Sequence, residues 1–320
     1  MRTLRVVALA GIGLTATLLA ACAALYRPEI DYDDLEERYA NAASRFVDLP
    51  GDLHVHYRDE GNPNGPVVVM IHGFAASLHA WEPWVARLGD RYRVVTLDLP
   101  AHGLTRGPAS YRMSLAGSAE VVRQLVDYLG IGQFVIVGNS MGGGVAWNFA
   151  LAHPDRLLGL VLVDPVGAAN ARRRPDGAPI VFRAMESPIG RALLKRANLR
   201  PLAAQGLRAA YLDQHLVTPA LIDRYVDLSR APGHRDIILA SRPDPLPSID
   251  RFRALATPTL ILHGEADKLI PVASSRALAG AIPGARLILY PGVGHVPMEQ
   301  IPDRSAADVR LFIEGLVGER

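Results

Sequence analysis

The chain has 320 residues, of which 49% are hydrophobic and 21% charged, and its net charge is +2. That length suits one large α/β domain with an insertion, or two small domains, and the composition supplies a substantial core. The near-neutral balance gives no electrostatic footing for nucleic acid, and Arg172-Arg173-Arg174, the one dense basic run, reads as a solvated loop.

Arg2 and Arg5 form a basic start, and an uncharged run from Val6 to Leu25 follows, which is the pattern of a secretory signal. Leu19-Ala20-Ala21-Cys22 resembles the lipobox of bacterial lipoproteins, in which the cysteine is acylated. Residues 1–22 are then a lipoprotein-like signal or anchor, Cys22 is the lipidation site, and residues 23–44 are a tether. Ala21-Cys22-Ala23 also fits an ordinary A-x-A cleavage site, and the run is long enough to stay as an uncleaved anchor. All three readings put the body outside the cytoplasm, exported to the cell envelope, with Arg2 and Arg5 on the inner side of the membrane. On the lipoprotein reading, Ala23 after the cysteine does not resemble the usual aspartate retention signal, which favours an outer-membrane destination in a Gram-negative cell. Cys22 is the only cysteine, which leaves no internal disulfide and no thiolate metal site.

Pro28 to Ala43 is polar and acidic and leads into a short helix. Arg45–Leu49 and Leu53–Arg58 are predicted strands joined by a Pro50-Gly51-Asp52 turn. Val67–Ile71 is a continuous apolar run of the kind found in strands buried on both faces. Arg93–Leu97, Phe134–Val137, Leu158–Val163, Thr259–Leu262 and Arg286–Tyr290 repeat that pattern. Helical spacing falls at Ser114–Leu129, Val145–Ala152, Ser274–Ile282 and Ser305–Leu316. Strands alternating with helices predict an α/β fold: an eight-stranded, mostly parallel sheet with helices on both faces. Residues 166–247 break the alternation with short, proline-interrupted helical stretches between the sixth and seventh strands. They are the candidate helical cap, dividing a core of residues 45–165 and 248–320.

The chemistry centres on Ser140. A buried strand runs directly into Gly138-Asn139-Ser140-Met141-Gly142 and then into a helix, which is the context a G-x-S-x-G nucleophile elbow requires. The turn is sharp, so bulky residues at 138 and 142 would clash, and the helix N-terminus aims free N–H groups at a developing oxyanion. Upstream, Val67–Ile71 ends in His72-Gly73-Phe74, and the Phe74 N–H is the expected partner of the Met141 N–H in an oxyanion hole. A serine needs a base. His295, in Gly292-Val293-Gly294-His295 after the last strand, is the candidate, with Asp267 after the seventh strand as its acid. Asp164 and Glu265 are the competing acids. His72 is expected to orient its loop and His102 to belong to loop architecture. His54, His56, His79, His153, His215, His234 and His263 carry no assigned role.

On these residues, with Asp98-Leu99-Pro100-Ala101-His102-Gly103, the chain from about Arg45 to Leu316 resembles the α/β-hydrolase superfamily. The resemblance implies an eight-stranded sheet, a helical cap after strand six, and no metal or organic cofactor. Ser140 stands where haloalkane dehalogenases and epoxide hydrolases carry aspartate, which sets those activities aside. Gly-Asn-Ser-Met-Gly-Gly is also similar to carbon–carbon hydrolases of aromatic ring-fission products, although these place tryptophan after the histidine and this chain has Val296. The expectation is a serine esterase or lipase acting on a small-molecule or lipid ester and attached to the membrane through an N-terminal lipid or anchor. The alternatives are a carbon–carbon hydrolase, a related amidase or perhydrolase, and an inactive surface binding protein.

Overall fold

The computed structural model describes residues 26–167, 187–241 and 244–318. The signal-like segment with Cys22 and the arginine run at 172–174 lie outside the described residues.

Eight strands form one sheet: β1 (Ser44–Leu49), β2 (Leu53–Gly61), β3 (Val67–Ile71), β4 (Arg93–Leu97), β5 (Phe134–Asn139), β6 (Leu157–Val163), β7 (Thr259–Gly264) and β8 (Arg286–Tyr290). Their order is β1-β2-β4-β3-β5-β6-β7-β8. The pairs β1·β2 and β2·β4 are antiparallel and all later pairs are parallel, as the predicted alternation requires.

The apolar runs follow from burial on both faces. Along β5, Phe134 and Ile136 enter one hydrophobic cluster and Val135 and Val137 the other, and β6 divides Leu160 and Leu162 from Val161 and Val163 in the same way. Helices α3 (Leu115–Tyr128), α4 (Met141–Ala152) and α9 (Val272–Ala281) cover the first face. Helices α2 (Glu82–Leu88) and α11 (Pro302–Gly318) cover the second, where Trp84 and Val309 are fully buried. A four-residue helix, α10 (Pro297–Gln300), precedes α11.

Between β6 and β7 the described residues form α5 (Pro188–Leu194), α6 (Arg200–Ala210), α7 (Pro219–Leu228) and α8 (His234–Ala240). Each of α5, α6 and α7 has proline in its first turn, where the missing N–H costs nothing. Thr218 caps α7 by accepting from the Leu221 N–H at 3.2 Å. Leu207 and Ala210 of α6 and Ile222 of α7 share the second hydrophobic cluster with Val293 and Val296, so the helical segment packs directly on the loop after β8.

The polar stretch before β1 lies against these helices. The Arg27 N–H donates to the Arg196 carbonyl at 2.8 Å and the Ile30 N–H to the Arg230 carbonyl at 3.0 Å. Helix α1 (Tyr32–Tyr39) buries Leu35, and the Tyr39 hydroxyl donates to Asp227 of α7 at 2.9 Å. Among the described residues, no helix is long and apolar enough to cross a membrane.

Candidate active site

Ser140 sits between β5 and α4 with φ 53° and ψ −114°, a backbone conformation that L-residues avoid. The surroundings hold it there. Its N–H donates to the Val163 carbonyl at 2.9 Å, and its carbonyl accepts from the N–H groups of Gly144 at 3.2 Å and Val166 at 3.0 Å. A Cβ at Gly138 would fall against the Gly142 carbonyl, and one at Gly142 against the Ile71 carbonyl oxygen. Both glycines are therefore required by close backbone approach, as the sequence pattern implied.

Met141 opens α4, where the first N–H groups have no partner one turn back. Phe74 occupies a turn with Ala75, whose φ is 60°, and the Phe74 ring is half exposed. Among the described residues, neither the Phe74 nor the Met141 N–H donates to a backbone carbonyl in the loops and caps. Beneath them the buried His72 accepts the Leu99 N–H on Nε2 at 3.0 Å and donates Nδ1–H to the Gly73 carbonyl at 2.7 Å. Burial holds it below the usual histidine range, so it is a neutral brace for the loop. His102 packs its ring on those of His72 and Phe74, and burial with the neighbouring His72 lowers it to about 3.

His295 and Asp267 meet directly. The His295 Nδ1–H donates to Asp267 Oδ2 at 2.7 Å. Asp267 Oδ1 accepts from the N–H groups of Leu269 at 2.7 Å and Ile270 at 3.1 Å. Burial pushes this carboxyl up, but the hydrogen bond and charge of His295 and the two amides outweigh it and hold Asp267 below its ordinary value. The imidazole is thereby fixed in the tautomer that leaves Nε2 able to accept a proton. Its main chain is pinned as well, because the His295 N–H donates to the Ala210 carbonyl of α6 at 2.8 Å. The Asn139 side chain donates to the His295 carbonyl at 3.1 Å, which ties the residue before Ser140 to the histidine loop.

The two competing acids lie in different surroundings. Glu265 is exposed and faces Arg276 at 3.8 Å. Asp164 is fully buried beside Asp267. Asp164, Asp267 and His295 are, among the described residues, the one group spaced to hold a metal ion. The atoms that would ligate it already include the Asp267–His295 hydrogen bond.

Two features carried no role in the sequence reading. His56 and Asp98 form a buried pair at 2.7 Å, with His56 Nε2 accepting from the Ser44 hydroxyl at 2.9 Å. Asp98 also accepts from the N–H groups of Leu78 at 2.7 Å and Leu104 at 2.9 Å, so it locks the loop after β4 against the one leaving β3. Separately, a cavity of about 650 Å³ lies between α1, β2, α7 and α10, lined by Arg58, Tyr211, Arg224 and Glu299 among others. Ser140, Asp267 and His295 do not line it.

Residues 66–301 match the model of the alpha/beta hydrolase fold family. The chain is 32% identical over 287 residues to the dihydrolipoyllysine-residue acetyltransferase component of an acetoin cleaving system from Cupriavidus necator, covering 87% of this chain and 71% of the relative. It is 29% identical over 279 residues to a 2-hydroxy-6-oxo-6-phenylhexa-2,4-dienoate hydrolase from Burkholderia cepacia, covering 82% of this chain and 93% of the relative. Among solved structures, a thermophilic esterase from Thermogutta terrifontis superposes with a TM-score of 0.70 at 27% identity, covering 86% of this chain and 99% of that one.

Proposed function

We propose, from the premise that this chain belongs to the α/β-hydrolase fold family, that it hydrolyses carboxylic esters through an acyl-enzyme on Ser140. The observation that carries the reading is the strained elbow at Ser140, whose neighbour Asn139 is bonded to the loop of the Asp267-oriented His295. His295 Nε2 takes the hydroxyl proton as Oγ attacks the ester carbonyl carbon. The N–H groups of Phe74 and Met141 hold the oxyanion. His295 then gives its proton to the leaving alcohol, and water repeats the sequence to release the acid. Asp267 keeps its charge throughout and stabilises the imidazolium. The esterase among the structural neighbours supports this reading.

A second reading has its own support. The dienoate hydrolase relative attaches the same fold to carbon–carbon cleavage, and the Gly-Asn-Ser-Met-Gly-Gly elbow fits that chemistry equally. Val296, rather than tryptophan, after His295 favours the ester. A panel of esters of increasing acyl length, run beside a ring-fission dienoate with S140A as the blank, separates the two. Faster turnover of the dienoate than of every ester overturns the first reading. A preference for dispersed long-chain lipid marks a lipase.

For location, the reading is an exported, membrane-attached enzyme acylated at Cys22. Its support is the Arg2/Arg5 start, the uncharged run and the lipobox-like tetrapeptide. Incorporation of labelled palmitate into the full chain, abolished by C22A, is the expected result. Membrane attachment without label in the wild type points instead to an uncleaved anchor.

A further inference from the structure

Asp164 directly follows β6 and Asp267 follows β7, its parallel neighbour, so two carboxyl groups approach His295 from the ends of adjacent strands. One oxygen from each and a ring nitrogen of His295 all lie within 4.8 Å of one another. Both aspartate side chains have no solvent exposure. Two like charges so placed in a low-dielectric interior do not both ionise.

Hydrogen-bond donors decide which one keeps its charge. Asp267 accepts three, from His295, Leu269 and Ile270. Asp164 accepts one, the Gly264 N–H on Oδ1 at 2.9 Å, while its Oδ2 is buried without a hydrogen-bond partner. His263 does not fill that role. Its Nε2 lies 3.5 Å from both Asp164 Oδ1 and Asp267 Oδ2, but its Nε2–H faces the Ile270 carbonyl at 3.1 Å and its Nδ1 accepts from Ser275 at 2.7 Å. An orphaned carboxylate oxygen is costly, whereas the same atom bearing a proton becomes a donor. Burial first, and then the Asp267 charge, push the Asp164 carboxyl well above its ordinary range. The backbone there is also held in the left-handed region, at φ 45°.

We infer that Asp164 is a neutral carboxylic acid that donates a hydrogen bond to the Asp267 carboxylate, which makes it a positioning residue for the Asp267–His295 pair. The inference rests on the serine–histidine reading of the site. No proton leaves Asp164 during turnover: it steadies the charged acid while the Ser140 proton moves to His295 and on to the leaving group. The titratable groups facing it are Asp267, His263 and His295, with Tyr290 behind. Neutralising Asp267 removes the like charge that keeps Asp164 protonated. Asp164 then ionises within reach of His295 and takes over part of the acid's work.

The test is hydrolysis of p-nitrophenyl butyrate by the full chain, with S140A as the blank, together with infrared spectra. D164N keeps a donor through its amide, so its kcat/KM stays within about threefold of wild type and the acid limb of its pH profile does not move. D164A loses about tenfold in kcat with little change in KM. D267N stays at least about tenfold more active than D164N/D267N, in which no carboxylate remains for the imidazolium. The wild-type-minus-D164N infrared difference spectrum shows the band of one buried protonated carboxyl, separate from that of Glu299, which both proteins keep. The inference is overturned if the acid limb of D164N falls by about a unit, which would mean a charge had been removed. It is equally overturned if that difference band is missing, or if D267N is no better than the double variant. Hydrolysis retained by S140A overturns the serine reading instead, and the infrared band, which needs no turnover, then decides Asp164 alone.

Discussion

The side-chain amide of Asn139 donates to the His295 carbonyl at 3.1 Å and to the Val163 carbonyl at 3.2 Å. One buried side chain thus joins the ends of β5 and β6 to the histidine loop. N139A leaves both carbonyls short of a donor, at about 1–3 kcal/mol of stability. It also frees the loop that aims His295, so kcat falls more than KM rises, by about 10- to 100-fold. Urea unfolding and steady-state kinetics on one preparation check both effects, and a variant that loses stability with unchanged kcat would show that Asn139 is scaffold alone.

The Ser140 backbone should store strain that glycine releases. S140A keeps the unfavourable φ and loses the nucleophile. S140G also loses the nucleophile, but relaxes a conformation costing about 1–3 kcal/mol, less the entropy glycine gains when unfolded. Both are expected to be inactive, with S140G melting at or above S140A. The reverse order in a thermal melt would mean the elbow is not strained.

Gly138 and Gly142 admit no side chain, because each faces a backbone carbonyl that cannot move without shifting a strand or helix. G142A is expected to lose about 3 kcal/mol or to fail to accumulate as folded protein. Gly130, whose added Cβ meets nothing within 4 Å, is the internal control on space, although its positive φ still penalises alanine. Circular dichroism and yield distinguish the two sites.

Acid stability should fall earlier than carboxylates alone would dictate. Burial first lowers His72, His79, His102, His234 and His263, with His79 at about 4 and His102 at about 3. A histidine neutral in the fold stabilises above its unfolded value, near 6.5, and loses that contribution as pH falls towards its folded value. Asp164 and Glu299 act oppositely: burial raises both, Glu299 to about 7, so the folded chain already holds their protons at pH 5. Five histidines take up protons on unfolding against two carboxyls that already hold theirs, so the unfolded chain binds more protons and stability falls as pH drops through this window. Asp98, held well below its ordinary value by its histidine partners despite burial, adds a further loss below about pH 4. Denaturant unfolding at pH 7, 6 and 5 measures the slope, and a flat profile would refute the neutral histidines.

The strands were legible because burial on both faces leaves only apolar β-branched residues at their centres, as in Val67–Ile71 and Phe134–Val137. The polar end of β2, out to Gly61, was not, because Asp59 is kept in the sheet by an ion pair with Arg93 of β4 rather than by hydropathy. Helix α2 was not among the predicted helices: it is only seven residues long and carries Pro83 in its first turn, where proline is well tolerated. Ser140, Asp267 and His295 stood out because strand, turn, helix and chain order constrain them together. The His56–Asp98 pair spans 42 residues and forms only when β2 lies against β4. The Ala210 carbonyl that receives the His295 N–H belongs to the backbone, and no residue type announces it.

The segment from Tyr26 to Tyr39 runs across the helices between β6 and β7, bonded to Arg196, Arg230 and Asp227 along its length. Those helices are thus gripped by a third stretch of chain besides their own connections to the sheet. One of those helices, α6, also carries the Ala210 carbonyl that receives the His295 N–H. The segment ahead of the sheet and the loop of the candidate histidine thus lean on the same helical layer.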